Sequence, residues 1–510
     1  CPAGSMVEGG GAAGAGAEEA DYEDYEAYDE DEEGCFKSAL ESLDRLAIAL
    51  GGGAMMPACF RYVPDFLGKA DDWRYPFVGI MTISQTGEGS YKEMKKYLDN
   101  VLTLLSARLE DEHPRVRWAA VNCLGQMSSD FGPDLQRKHH ATIVPALVRR
   151  MDASVEPVAR VRGHAAAAMI NFCEHADAKM LEPSLQPLLS HLAVMMQDVN
   201  GGKSREQAIT TVASVALGVN SLFAPYYDGF VPFLKNMIAT TLGPTRHEKR
   251  LRGKAIETIS LIGVAVGRER FRADAAETME LLARTQREPL EADDPQIPYL
   301  HQACGRICRS LGAEFVPYLP TVLPSVLRSA ALEAQDTRTP GMDDDYAEQD
   351  DRTDGMHTSA LEEKKTACEM LLTYLTELKG AFFPYLEPAA KTLVPLLQYS
   401  MHTDIRTIAA EAMPALCRCA AAHVREQADA SPAVVQQALD YIFPAVKEAI
   451  ATEQNALVQS TMARSLGEIV EACQPAKLKP EMLEETAASL KLILEEAGER
   501  YETLVEDAES

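Results

Sequence analysis

A period of a little over forty residues constrains this chain more than any other feature. Arg74, Arg117, Arg162, Arg205 and Arg252 recur at spacings of 43, 45, 43 and 47, each near the start of a run of small apolar side chains. Those runs read FVGIMTISQTGEG, AAVNCLGQMSSDFG, HAAAAMINFCEH, QAITTVASVALG and KAIETISLIGVAVG. The series continues with IPYLHQACGRICRSLG from Ile297, EKKTACEMLLTYLTELKG from Glu363, IRTIAAEAMPALCRCA from Ile405 and ALVQSTMARSLGEIVEAC from Ala456. Between them lie partner segments that often contain Pro, such as HATIVPALVRRMD and FVPYLPTVLPSVLRSAALE. Apolar residues fall at i, i+3, i+4 and i+7 throughout, the mark of helices with one buried stripe. A helix pair every 40–47 residues or so is the HEAT or armadillo period. A WD40 blade of similar length needs four strands, which these Ala- and Leu-rich segments do not supply. The fold class predicted is all-α, an α-solenoid of HEAT repeats. In it each antiparallel pair buries its apolar face only by stacking on its neighbours. The second helix of each pair (B) is expected to line a concave face and the first (A) a convex one.

Charge divides the chain further. The net charge is −28, from 49 Lys and Arg against 77 Asp and Glu, which argues against a binder of nucleic-acid backbones. Residues 1–34 hold twelve acids and no Lys or Arg, after a Gly/Ala-rich start, and are expected to be disordered. Residues 333–358 carry nine acids and two arginines and read as an acidic insert loop within one repeat. HEAT repeats are assigned to residues 35–332, whose concave face is the expected binding face, and to residues 359–510. No apolar run approaches 18 residues, so no membrane insertion is expected. No secretory leader is legible. Eleven scattered cysteines read as free thiols in a reducing compartment. A start at Cys1 and not Met suggests part of a longer chain.

Catalytic constellations are weak. Gly9-Gly10-Gly11-Ala12-Ala13-Gly14 matches a dinucleotide-binding pattern as text but follows no strand. Cys417-Arg418-Cys419 sits on a helix and reads as core. His139-His140 lacks a third ligand and reads as a solvated loop. No metalloprotease, Walker or nucleophile-elbow pattern occurs. No enzyme, cofactor or metal is expected. The polar residues of the B helices are more informative. Asn122, Gln126 and Asp130 are spaced i, i+4, i+8 and form one stripe. The preceding B helix ends in Gln85 and Glu88, the one before carries Asp44, and the following one carries Asn171 and Glu174. One reading is ordinary solvated surface. The other is a ladder for an extended basic peptide, with carboxylates taking lysine ammonium groups and amides clamping the peptide backbone.

The stretches SALESLDRLAIALGG, WRYPFVGIMTISQTGEG, HPRVRWAAVNCLGQMSSDFGP and RVRGHAAAAMINFCEH resemble the middle of an importin-β family karyopherin of the importin-beta-3 type. LRGKAIETISLIGVAVGRERF, DDPQIPYL, LEEKKTACEML and APYYDGFVPFLK are similar to it too, so the resemblance runs over about residues 20–475. It implies a nuclear import receptor that binds lysine-rich nuclear localisation signals of cargo proteins and passes the nuclear pore. Phe-Gly nucleoporins would bind between A helices, Ran-GTP would release cargo, and the chain would shuttle between cytoplasm and nucleus. Carried over by position, the implied cargo contacts are Asp44, Glu88, Asn122, Gln126, Asp130 and Asn171, while Arg117 and Trp118 are packing residues. The family's chain is about twice as long, and its main Ran-GTP site lies in repeats not present in this sequence. The alternative is a HEAT-repeat scaffold subunit of a multiprotein complex, which would bind folded partners instead of extended basic segments.

Overall fold

The computed structural model describes residues 30–473, apart from 70, 200, 242, 244, 286–293, 333–350 and 428, together with scattered positions between 480 and 498. Among the described residues every regular element is a helix. The chain divides into two units, Cys1–Phe233 and Leu234–Ser510. In the first unit the B helices are α1 (Glu30–Leu50), α3 (Arg74–Thr86), α5 (Pro114–Asp130), α7 (Ala159–Cys173) and α9 (Gly202–Val219). Their A partners are α2 (Gly52–Gly68), α4 (Leu98–Leu109), α6 (Asp134–Met151) and α8 (Leu185–Gln197), and α10 (Tyr227–Thr240) crosses the division. In the second unit α11 (Arg246–Val266), α13 (Ile297–Leu311), α15 (Asp351–Leu378), α17 (Thr403–Glu426) and α19 (Ala456–Ala472) are the B helices. Their A partners are α12 (Arg268–Thr285), α14 (Leu319–Ala330), α16 (Leu386–Leu393) and α18 (Ala433–Thr452). Within each unit every B helix packs on the B helix of the next repeat. This is the HEAT-repeat solenoid that the period predicts.

The recurring basic residue is explained by backbone chemistry. The end of an A helix and the turn after it leave carbonyls without helical partners, and a long cation at the start of the following B helix reaches them. Arg117 donates from Nη1 to the carbonyls of Asp111 (3.0 Å) and Glu112 (2.9 Å). Arg162 does the same to Glu156 and Pro157, Arg205 to Met196, and Arg406 to Tyr399. Lys364 takes the position in α15, with Nζ on the carbonyls of Ala330 and Leu332. Arg117 also grips the next repeat: Nε and Nη2 meet Glu156 in a bidentate pair at 2.7 and 2.8 Å, with Glu156 fully buried. Arg150 adds a contact to Glu156 at 3.3 Å and bonds both oxygens of Glu110. Arg406 reaches Glu453 in the same way. Arg74 departs from the series, because it is largely exposed and pairs with Asp72 in its own turn.

A second repeated device closes the B-to-A turn. Phe223-Ala224-Pro225-Tyr226, Phe315-Val316-Pro317-Tyr318 and Phe382-Phe383-Pro384-Tyr385 each end a single 3₁₀ segment, Asn220–Tyr226, Gly312–Tyr318 and Lys379–Tyr385. The first phenylalanine of each is fully buried. Each segment opens on a residue with positive φ (Asn220, Gly312, Lys379), which breaks the B helix so that the chain can double back.

Several expectations change. Residues 333–350 of the acidic insert, the glycine-rich text match at Gly9–Gly14 and most of residues 1–34 lie outside the described residues. Helix α1 nonetheless begins at Glu30, and residues 351–358 belong to α15 and not to a loop. His139 and His140 lie within α6, where His140 Nδ1 meets the Gln136 carbonyl at 3.1 Å, so the loop reading fails. Cys417 and Cys419 are fully buried in α17. No uninterrupted apolar run approaches 18 residues, yet a window of 18 residues within Gly202–Thr240 reaches a mean hydropathy of 1.5. Its apolarity serves the stack: half of that window is buried, and the positive φ at Asn220 breaks it into separate helices.

Candidate recognition site on the B-helix face

Three carboxylates gather where α1, α3 and α5 meet. Asp44 stands on α1, and Asp130 is the last residue of α5. Glu88 falls in the turn after α3, which ends at Thr86, so it is presented by a loop and not by a helix end. The glycines on either side of Glu88 make the convergence possible. A Cβ on Gly87 would stand 2.8 Å from Asp130 Oδ2, and one on Gly89 would overlap the backbone of Ala47, one turn beyond Asp44 on α1. The segment Gly87-Glu88-Gly89 is thus pressed between α1 and α5. This signal was present in the sequence text TGEG and went unused.

The electrostatics follow from this crowding. Asp130 is half-buried, and burial pushes its carboxyl up to about 6; the Gln126 amide, donating to Oδ1 at 2.8 Å, pulls it down, while the nearby Glu88 and Asp44 raise it. Asp130 Oδ2 is buried and has no hydrogen-bond partner among the described residues. A carboxylate with one unfilled acceptor and two like charges nearby costs free energy, and a cation would relieve both. Lysine supplies three donors on a single point charge, which suits a site with several acceptors.

The amides behave differently from the clamp imagined from spacing. Asn122 lies in the middle of α5 with both ends of its amide engaged: Nδ2 approaches Ser84 Oγ at 3.4 Å on α3, and Oδ1 accepts from His164 Nε2 at 2.9 Å on α7. His164 can hold that role because burial, with Arg160 nearby, lowers its imidazole to about 4 and keeps it neutral. Asn171 on α7 donates to the Gly125 carbonyl of α5 at 3.2 Å. Asn122 and Asn171 therefore fasten neighbouring helices, whereas Gln126 and Glu88 are exposed and Asp44 and Asp130 half-buried. Ser84 and His164 are partners that helix spacing within one repeat could not disclose, since they lie 38 and 42 residues from Asn122. Trp118 stacks obliquely on His164, with ring centroids 4.6 Å apart, and Arg117 is buried in the staple.

A stack of helix pairs, stapled at most of its B-helix starts and carrying an acidic cluster, defines the class: a HEAT-repeat solenoid. Residues 166–349 match the family model for importin subunit beta-1-like TPR repeats, and residues 80–127 match the HEAT-like repeat. Importin subunit beta-3 of Saccharomyces cerevisiae is 34% identical over 405 residues, covering 77% of this chain and 36% of that protein. Two solved structures of the karyopherin Kap121p, one free and one bound to Pho4p, both superpose with TM-score 0.77. They show 30% and 29% identity and cover 93% of this chain and 45% of theirs. The chain belongs to the importin-β family of karyopherins. It spans less than half the length of these relatives.

Proposed function

We propose that this chain is the cargo-binding part of a nuclear import receptor, and that Asp44, Glu88 and Asp130, with Gln126, take the lysines of a nuclear localisation signal. The observation that carries the reading is the uncompensated acidity of the cluster, with a buried carboxylate oxygen lacking a donor. The three acids come one per repeat from consecutive repeats. Packed helices lie about 8–10 Å apart, and an extended peptide rises ~3.3 Å per residue, so lysines about three positions apart would meet successive carboxylates. Asn122 and Asn171 would bind the peptide backbone only by exchanging their present partners, and we assign them a supporting part.

Relatives lend the reading weight. Kap121p has been solved bound to the SUMO protease Ulp1p, to Pho4p, to Ste12p and to Nup53p. Another of its solved structures carries lysine in place of an aspartate, a glutamate and an aspartate, in that order and about one repeat apart. That is the order of Asp44, Glu88 and Asp130 here. Passage through the pore with Phe-Gly nucleoporins, release by Ran-GTP and shuttling between cytoplasm and nucleus belong to the same proposal.

Calorimetric titration with a lysine-rich signal peptide tests it. Wild type should bind at micromolar affinity or better, and the Glu88→Ala/Asp130→Ala double variant should lose at least tenfold. Each well-formed contact to a charged group contributes about 1.5–3 kcal/mol. Unchanged affinity in a folded double variant would remove the site.

A further inference from the structure

The second unit holds a cavity of about 530 Å³ between α13, α15 and α17. One wall is basic: Arg306 and Arg309 stand nearly one turn apart on α13. The other walls are acidic, with Glu369 and Glu377 on α15 and Glu411 on α17. Opposite charges facing each other across a stack of helices ordinarily close on one another, and elsewhere in this unit they do. Arg418 meets Glu468 at 2.9 Å and Arg464 meets Glu411 at 3.1 Å, both between α17 and α19. Arg306 and Arg309 form no ion pair among the described residues, although three carboxylates share their cavity.

Neutral groups, and not carboxylates, hold the two guanidinium groups. Arg306 donates to Ser260 Oγ (3.2 Å) and Gln302 Oε1 (2.9 Å), and Arg309 donates to Thr373 Oγ1 (3.2 Å). Burial and the adjacent Arg309 weaken the hold of Arg306 on its proton, while Glu257 opposes them. Across the space, burial raises Glu369, with Lys365 lowering it, Glu362 and Asp404 raising it further, and Arg309 on the facing wall lowering it. Arg306 and Glu369 are thus half-buried on facing walls with no ion pair among the described residues, whereas Glu411 is held by Arg464, and there is room between them for side chains.

We propose that this cavity binds an extended peptide segment in which an acidic side chain precedes or follows a basic one by about three residues. The carboxylate would bridge Arg306 and Arg309, and the cation would reach Glu369 on the facing helix α15. The spacing follows from one helix-to-helix step of about 8–10 Å and an extended rise of ~3.3 Å per residue. Guanidinium pairs favour carboxylates through forked, charge-assisted bonds. A segment of lysines alone would be repelled by one wall, and a segment of acids alone by the others. This site rests on residues distinct from Asp44, Glu88 and Asp130, so it stands or falls apart from the lysine-signal reading.

The test uses a fluorescent twelve-residue peptide of Ala, Gly and Ser with one Glu-x-x-Lys pair, followed by anisotropy against the whole chain. Saturable binding should weaken at least tenfold in Arg309→Glu, an exposed position whose change should leave the melting temperature near wild type. It should return when the peptide glutamate is also replaced by lysine. Glu369→Gln should weaken it to a lesser degree, and Asp130→Ala should leave it unchanged. Absence of saturable binding up to about 1 mM, full affinity in Arg309→Glu, or loss in Asp130→Ala would each overturn the proposal.

Discussion

Helix α5 carries opposite treatments of charge at its two ends. At its start Arg117 and the fully buried Glu156 satisfy each other, with Arg150 and Glu110 completing the network. At its end Asp130 faces Glu88 and Asp44 with one oxygen left without a donor. Thirteen residues separate a charge that holds repeats together from one that weakens the free chain. The contrast teaches how to separate architecture from recognition in a stack of this type. A buried ion paired with opposite charges belongs to the fold, and a carboxylate crowded by like charges and lacking a donor points to whatever binds there.

The strongest way to break this comparison is at the staple. Glu156→Ala would leave the buried Arg117 without a carboxylate and Arg150 with Glu110 alone, and removing one partner of a buried pair costs about 3–5 kcal/mol. Denaturant unfolding should show a loss of that size. A change below about 1 kcal/mol would mean that water or backbone carbonyls replace Glu156. The corresponding loss at the other end should be absent: Asp130→Asn removes a repelled charge and should leave stability equal or slightly higher at neutral pH.

A smaller effect is expected at Gly89. A methyl group there overlaps the Ala47 backbone, and overpacking costs about 1–3 kcal/mol. Gly89→Ala should push α1 away from the turn, separate Asp44 from Glu88 and weaken lysine-peptide binding, while Gly53→Ala, which meets open space, should do neither. Equal affinity in the two variants would show that the close approach does not arrange the acids.

The smallest effect, a few-fold in affinity, is a pH dependence. Asp130 titrates near 6 in the folded chain against 3.8 when unperturbed. Between those values the native state holds more protons than the unfolded one. Stability from this group therefore grows as pH falls from about 6 toward 3.8 and is lost as pH rises through 6. Cargo affinity runs the other way, since a protonated Asp130 attracts a lysine less. Affinity for a lysine peptide should fall between pH 7 and pH 5 in wild type and stay flatter in Asp130→Asn. Matching profiles would assign the titration to another group.

The period of the arginines made the helix pairs and their stacking legible, because a carbonyl-capping cation must recur wherever the same turn recurs. Arg74 shows the limit of that logic: it keeps the register, yet pairs with Asp72 and staples nothing. The acids of the candidate site were legible as residues but not as a cluster. Their meeting depends on Gly87 and Gly89, whose value lies in what they leave out. The amides were misjudged for a related reason. Spacing along α5 says which residues share a stripe, but not that Ser84 and His164, a repeat away on either side, engage Asn122. The membrane-length apolarity of Gly202–Thr240 was missed because isolated polar residues interrupt every run while the average stays high.

The separation of roles along α5 has a consequence for how such chains diversify. Where a B helix has a staple at its start and a recognition residue near its end, as α5 does, the two occupy different turns, so either can be replaced without redrawing the other. A lineage could therefore rewrite the alphabet of partners one letter per repeat, while the binding of the book, the arginine-to-carbonyl stitching, is inherited intact.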